Sequence, residues 1–423
     1  MITDSSPDPT ERGASWRLAL SVLETLREAG HEAYFVGGCV RDRLLGIVAE
    51  DVDIASSASP AEVSRLFSKV ILVGARFGVC RVRARGIEVE VAAFRTDRGI
   101  ADGRRPLSVG PATAREDVLR RDFTINGMLY DPATDEVIDY VGGRRDLAAK
   151  VVRAIGFPHE RFREDRLRML RAVRFAARFD FAIDPATEAA IAAHAAHVLD
   201  VSDERIRDEL LLILQGPDPV RGFTLLEELG LLPVILPELT SGCGPNAEDS
   251  SGGTKRLLAA FAAMRERDER IVLAGLLRDL APAAVGEVVT RLKLPRRVSR
   301  DVVNAVQAMG RLWDRPDWAP SDLKRLLREP HGKLLVPLSH LLCEAERSPP
   351  PPGVLALRDA AERFDERDLN PGALFSGREL MDLGYPRGPL LGEIIAALET
   401  AQLDGLINDR EGALRFLRAH FPL

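Results

Sequence analysis

Tyr34-Phe35-Val36-Gly37-Gly38-Cys39-Val40-Arg41-Asp42-Arg43-Leu44-Leu45-Gly46, running on into Glu50-Asp51-Val52-Asp53-Ile54, is the stretch on which the reading of this chain turns. An apolar run with strand character ends in two glycines, an Arg-Asp pair opens a short helical pattern, and a second strand carries two aspartates one residue apart. Paired glycines let the backbone approach a ligand closely, because no Cβ intervenes and positive φ costs little. A helix starting just after them offers free N–H groups to a phosphate. Along an extended strand alternate side chains share a face, so Asp51 and Asp53 project together. Two adjacent carboxylates repel unless a cation lies between them, and Mg²⁺ takes a couple of carboxylates with phosphate oxygens and water. Each signal alone has an ordinary alternative, a plain Gly-Gly turn or a solvated Asp-x-Asp loop. Their order and closeness point to a cradle for a triphosphate and its metal ions.

Outward from this stretch, Ser15 to Ala29 has helical apolar spacing and stops at Gly30. Ser59-Pro60-Ala61-Glu62 reads as a capped helix start. Val70 to Val73, Val79 to Val82 and Ile87 to Phe94 read as strands, which makes this region a small mixed α/β domain. In the last strand Glu88, Glu90, Ala92 and Phe94 share a face. Glu90 therefore becomes a third carboxylate beside Asp51 and Asp53 if this strand is their neighbour, and a surface glutamate if it is not. Arg95 to Pro111, broken by Gly99, Gly103, Pro106 and Gly110, reads as a mobile loop. It leads to Arg120-Arg121-Asp122-Phe123-Thr124-Ile125-Asn126, entering a helix or strand, where guanidinium forks and an amide suit phosphate and ribose. Structural pairing of these arginines with Asp117 and Asp122 is the competing account.

Beyond a turn at Val141-Gly142-Gly143 the chain reads as almost wholly helical, giving an α+β fold overall. Arg161 to Phe179 is an Arg-rich helix in which Asp165 and Arg168 fall on one face, as an intrahelical salt bridge or as an acceptor and donor fork for the edge of a base. Pro185–Leu199, Glu204–Leu214 and Val220–Leu229 continue the helical spacing. His194 and His197 share a helix face, but with no third ligand in sight they do not suggest a metal site. Ser241 to Thr254 reads as a linker, and Ser348 to Gly353 as a stiff polyproline spacer before a last helical module.

The composition sets outer limits. A chain of 423 residues, 46% hydrophobic and 29% charged, is a globular protein of several domains. Its net charge of −6 argues against non-specific coating of nucleic acid, yet Arg95 to Arg178 holds 18 basic against 13 acidic residues. That excess marks a local polyanion site or a solvated helix face. Four scattered cysteines give neither a zinc spacing nor a disulfide framework, and no segment is apolar enough for a membrane. A cytoplasmic protein with a frayed N-terminal tail, no membrane association and no implied protein partner is expected.

Taken together, the chain resembles the CCA-adding tRNA nucleotidyltransferase and bacterial poly(A) polymerase family. The resemblance rests on Gly37-Gly38 with Arg41-Asp42 and Asp51-x-Asp53, on Val91-Ala92-Ala93-Phe94-Arg95, and on Asp102-Gly103-Arg104-Arg105-Pro106. It continues through Arg120 to Asn126 and Glu164-Asp165-x-x-Arg168 followed by Met169-Leu170-Arg171-Ala172. It implies a disordered tail (1–14), a nucleotidyltransferase head (15–150), a nucleotide-selecting neck (151–240), a body (255–347) and a tRNA-contacting tail (353–423). It also implies Mg²⁺ on Asp51 and Asp53, with Glu90 as third catalytic acid. Gly37, Gly38, Arg41, Asp42, Arg121, Asp122, Asn126 and Arg171 would lie around the nucleotide, and Asp165 and Arg168 would read the base of CTP or ATP. The expected partners are tRNA, CTP and ATP. The implied activity is CCA addition; poly(A) synthesis or addition of A alone is the alternative within the family, and a non-catalytic tRNA-binding protein the alternative outside it. Two departures stand out. Leu276-Leu277-Arg278-Asp279 has Arg where phosphohydrolase-bearing relatives have His, so Asp279 reads as structural. Arg166 replaces a proline inside the Glu-Asp-x-x-Arg motif.

Overall fold

A computed structural model gives the fold of residues 13–49, 51–72, 78–101, 105–239 and 250–423. Of the expected tail over 1–14, residues 1–12 fall outside these, as do Val73, Asp102 to Arg104 and most of the linker from Ser241, while Ala14 already belongs to a helix. The chain forms two compact units, Met1–Pro237 and Glu238–Leu423.

In the first unit, α1 (Ala14–Glu28) leads to β1 (Ala33–Val36), α2 (Gly38–Leu44), β2 (Asp53–Ser56), α3 (Pro60–Leu66), β3 (Val70–Ile71), β4 (Val79–Ala84) and β5 (Ile87–Ala93). Then follow β6 (Arg95–Ala101), β7 (Arg105–Pro111), α4 (Ala114–Leu119), β8 (Met128–Asp131), β9 (Glu136–Asp139), α5 (Gly143–Ala148) and β10 (Val151–Val152). The main sheet has the order β3-β4-β5-β2-β1-β8-β9. Only the β2–β5 pair is parallel. Strand alternation divides the side chains between two faces. Phe35 and Tyr130 meet Trp16 of α1 on one, with the Trp16 and Phe35 rings edge to face at 4.9 Å. Val36, Ala55, Phe94 and Leu129 pack against Ala114 and Val118 of α4 on the other. Asp53 pairs with Val36 across the ladder and so belongs to the α4 face. The expected cap of α3 is present, with Ser59 and Glu62 in reciprocal hydrogen bonds and Pro60 at the first turn.

Helices complete the unit: α6 (Pro158–Glu164), α7 (Leu167–Phe179), α8 (Pro185–His194), α9 (Asp203–Leu214) and α10 (Pro219–Glu228), with β11 (Ala182–Ile183) parallel to β10. α7 is buried almost all round, through Leu167, Met169, Leu170, Ala172, Val173, Phe175, Ala176 and Ala177. Truncating one of its large residues to alanine costs about 2–5 kcal/mol.

Several expectations need correction. Arg95 to Pro111 is not an irregular loop but the antiparallel ribbon β6–β7, paired from Arg95↔Pro111 to Ala101↔Arg105. A two-stranded ribbon leaves half its backbone groups free, and Pro111, next to the bonded pair of Ala112 with Phe94, takes a position that needs no donor. The single helix expected over Arg161 to Phe179 is broken at Asp165, which has extended backbone (φ −148°, ψ 105°). The turn at Val141 to Gly143 runs directly into α5, which Gly143 opens. The stretch expected as a helix to Leu199 becomes 3₁₀ from Ala195 to Asp200.

In the second unit a helix over Ser250–Ala263 takes up the end of the expected linker. The spacer is likewise shortened, because Pro352 begins the helix Pro352–Arg363, where a first-turn proline loses no helical bond. Phe375, Leu380, Tyr385, Ile394, Leu398, Ala401, Ile407, Ala413 and Leu417 form a separate small core. Arg278 lies 3.6 Å from Asp279 and 3.6 Å from Glu346, and Asp279 is largely exposed, so it fills no core position. No helix among the described residues is long and apolar enough to cross a membrane.

Candidate active site

The site is built on the α4 face of the sheet. Because β2 and β5 run parallel with Ile54 opposite Val91, Asp53 and Glu90 are neighbours across the strands, the condition under which Glu90 joins the aspartates. Asp53 is exposed at the start of β2 but closely surrounded. That burial, and then Glu90, push its carboxyl up to about 6 against Arg121; Asp51 adds to the rise and Arg81 opposes it. Glu90 is 3.7 Å from Arg81. Among the described residues no three His, Cys, Asp or Glu side chains enclose an ion. An open pair of carboxylates with excess negative charge fits Mg²⁺, which keeps several waters and phosphate oxygens as ligands. Cys39 has its thiol pushed up to about 12 by burial, so it takes no part as a nucleophile.

Gly37 has φ +78°, and a Cβ there would lie 3.6 Å from Arg121 Nη1. The turn and Arg121 thus face one another across a narrow gap. Arg121 is held by Asp117 Oδ2 at 2.9 Å, and Asp117 Oδ1 holds Arg120. The competing pairing of these arginines with Asp117 is therefore present.

Beneath the turn lies a buried polar chain. Arg41 donates to Asp42 at 2.9 Å and to Asn126 Oδ1 at 2.6 Å, and its guanidinium stacks 4.5 Å from the Phe179 ring of α7. Asn126 donates to Asp122 at 3.2 Å, and Asp122 Oδ2 receives both Nε and Nη2 of Arg171. Burial raises the Asp122 carboxyl, but Arg171, the Phe123 N–H and Asn126 outweigh it and hold it at about 2. Arg171 continues to Glu209 of α9 at 3.6 Å, and Glu209 holds Arg174 at 2.6 Å. Gly143 secures the same layer from behind, since a Cβ there would come within 2.3 Å of the Thr124 carbonyl oxygen.

At the helix break, Asp165 and Arg168 do not pair with each other. Asp165 accepts from Arg205 Nη1 and Nη2 at 3.2 and 2.9 Å and from the Leu167 N–H at 3.1 Å. Arg168 donates to the carbonyls of Arg161 and Arg120 and to Glu164 at 2.9 Å. The intrahelical salt bridge is thus ruled out, and so is the shared helix face. Arg166, with φ −59°, adopts the angle proline would impose, so the departure from the motif leaves the break intact. The sequence reading missed Arg205, Glu209 and Arg174. The first two stand one turn apart on α9 and hold both Asp165 and the arginines of α7, a role with no local signature.

Residues 33–153 match the family described as the poly A polymerase head domain, and residues 180–243 match the probable RNA and SrmB-binding site of polymerase A. Fold and site together define a nucleotidyltransferase of the poly(A) polymerase head type. The CCA-adding enzyme of Latilactobacillus sakei is 35% identical over 403 residues, covering 94% of this chain and 96% of that protein. The CCA-adding enzyme of Geobacillus stearothermophilus is 34% identical over 408 residues, with 93% and 94% covered. The crystal structure of the Bacillus stearothermophilus CCA-adding enzyme in complex with CTP superposes with a TM-score of 0.74 at 30% identity, covering 96% of this chain and 98% of that one. The chain belongs to the CCA-adding enzyme family.

Proposed function

We propose that this chain adds C, C and A to tRNA 3′ ends from CTP and ATP, releasing pyrophosphate, in the cytoplasm. The observation that carries the reading is the joining of an acidic group, a glycine turn and the Asp165–Arg168 segment in one compact unit, within a chain matched over nearly its whole length by CCA-adding enzymes. The three cysteines among the described residues, Cys39, Cys80 and Cys343, are free thiols, in keeping with a reducing compartment.

In the proposed reaction the RNA 3′-hydroxyl oxygen forms a bond to the α-phosphorus and the bond to the bridging oxygen of pyrophosphate breaks. Asp51 and Asp53, with Glu90 alongside, would hold Mg²⁺, which when bound lowers the pKa of the attacking hydroxyl and offsets charge on the leaving group. Gly37 and Gly38 admit the triphosphate close to the backbone, and Arg121 meets it across the gap with charge-assisted donors.

Base choice follows from remaining hydrogen-bond capacity. A carboxylate has about four acceptor sites; three at Asp165 are taken by Arg205 and Leu167, leaving an acceptor. Arg168 has about five N–H donors; three are engaged, leaving donors free. An acceptor beside a donor fits the amino group and ring nitrogen of both cytosine and adenine. Uracil and guanine present a carbonyl where the acceptor lies, which leaves two acceptors opposed. Arg168→Ala is expected to lower CTP over UTP discrimination about tenfold or more, and Arg205→Ala to raise the KM for CTP and ATP together by freeing Asp165. Steady-state kinetics with each NTP checks both; unchanged selectivity in Arg168→Ala refutes the base-reading role. The reading itself is tested by extending a tRNA lacking its terminal trinucleotide. Addition of two C and one A, then arrest, is expected, whereas a ladder of A residues would favour poly(A) synthesis.

A further inference from the structure

Away from the carboxylates, the first turn of α6 and the end of α8 meet through histidines. His159 Nδ1 is 3.2 Å from His194 Nε2, with the rings edge to face at 5.3 Å. Arg166 Nη1 is 3.2 Å from the other ring nitrogen, His194 Nδ1. A guanidinium only donates, so Nδ1 accepts, the His194 proton is on Nε2, and Nε2 donates to His159. The neutral pair therefore leaves His159 Nε2–H as its outward donor, without a partner among the described residues. His197 follows with its ring 6.2 Å from His194, and Asp200 is shared by His197 at 3.5 Å and Arg166 at 3.6 Å. Arg163, one turn along α6 from His159, is exposed and has no partner among the described residues. Phe157, just ahead of α6, has 76% of its surface exposed.

This cluster is short of negative charge. After burial, the influences holding the His194 imidazole below its usual range are Arg166, His159, Arg163 and His197, all of them basic. On the elements that form the cluster, Glu160, Glu164, Glu188 and Asp200 carry the opposite sign, but Glu164 is taken up by Arg161 and Arg168 and Glu188 lies in the first turn of α8, at the far end from His194. A metal cation would meet two guanidinium groups, so the complementary ligand is an anion. An exposed aromatic beside cationic donors is the pattern by which a single RNA strand is bound, base on ring and phosphate on basic groups. The cluster adjoins Asp165, and His194 and His197 lie within the segment matching an RNA-binding family.

We propose that His159 and Arg163 hold a backbone phosphate of the RNA substrate beside the nucleotide-selecting residues, with His194 orienting the His159 ring from behind and Phe157 offering its ring to a neighbouring unpaired base. The assignment rests on the reading of this chain as an enzyme acting on tRNA. A phosphate favours the charged form of the imidazole it meets, so binding takes up a proton and affinity rises as pH falls through the histidine range.

The test is equilibrium binding of the full chain to a tRNA lacking its terminal CCA, between about pH 8 and about pH 6, with a salt series at each pH. Wild type is expected to tighten several-fold on acidification, and the double variant His159→Ala/His194→Ala to show a flat profile. Arg163→Glu, at an exposed position that cannot disturb packing, should weaken binding about tenfold and lower the salt slope by about one. Phe157→Ala should weaken binding about tenfold without altering the slope, and the KM for CTP should remain unchanged in all. Wild-type affinity, slope and pH profile in these variants would overturn the site. So would inorganic phosphate shifting the histidine NMR signals while the variants bind tRNA normally, which would assign the cluster to a free anion. Failure of wild type to extend the trimmed tRNA would refute the functional reading, a separate result.

Discussion

Asp53→Ala is expected to lower CMP and AMP transfer by at least about 10³-fold while tRNA affinity stays within about twofold of wild type. The expectation rests on position. Asp53 begins β2, neighbours Glu90 across a parallel pair, and is subject to Asp51 as well. None of these carboxylates relieves another, so removing one would abolish the proposed cation site without opening a hole in the core. The thermal midpoint should therefore hold steady or rise, because the substitution removes like-charge repulsion. That combination separates a chemical role from a structural one. Single-turnover incorporation of labelled CMP with a filter-binding isotherm and a melting curve would decide it, and transfer persisting near the wild-type rate would refute the metal assignment.

The largest effect on stability is expected at Asp122. Asp122→Ala leaves Arg171, beside Arg174, with only the longer 3.6 Å contact to Glu209, and leaves the Asn126 amide without its acceptor. Breaking a buried pair by deleting one partner costs about 3–5 kcal/mol. The pH dependence follows from the depressed carboxyl. Its stabilising contribution is fully present above the unfolded value of 3.8 and is lost as pH falls towards about 2. The stability gap between wild type and Asp122→Asn should therefore stay level from neutral pH to about 4 and narrow below it, as read from urea unfolding at each pH. A gap independent of pH would show that Asp122 acts through shape and not charge.

How much of this was legible depended on whether the cause was local. The strand β1 and the glycine turn were readable because period-two alternation and a positive-φ glycine leave marks within a few residues, whereas of the two aspartates expected on the second strand only Asp53 lies in β2 and Asp51 precedes it. Glu90 was readable up to a condition, the pairing of β2 with β5, which only the fold supplies. The β6–β7 ribbon was not, since Gly99, Gly103, Pro106 and Gly110 interrupt the alternation by which a strand is recognised. The break at Asp165 was missed because neither glycine nor proline marks it; an Asp side chain accepting the Leu167 N–H makes the turn. Arg205 and Glu209 look like ordinary helix-surface charges, and their partners Asp165 and Arg174 lie 40 and 35 residues away in the chain.

The buried polar chain under the glycine turn has a consequence for anyone recombining these enzymes. It crosses residue 150 at least three times: Arg41 against Phe179, Asp122 to Arg171, and the Arg120 carbonyl to Arg168. A graft that exchanges residues 15–150 between relatives would cut through every one of these links. The transplantable block runs instead to the end of α9, so that Arg205 and Glu209 travel with the residues they orient. Nucleotide preference is then inherited as one piece with the catalytic sheet, and recombination has few places to separate the two.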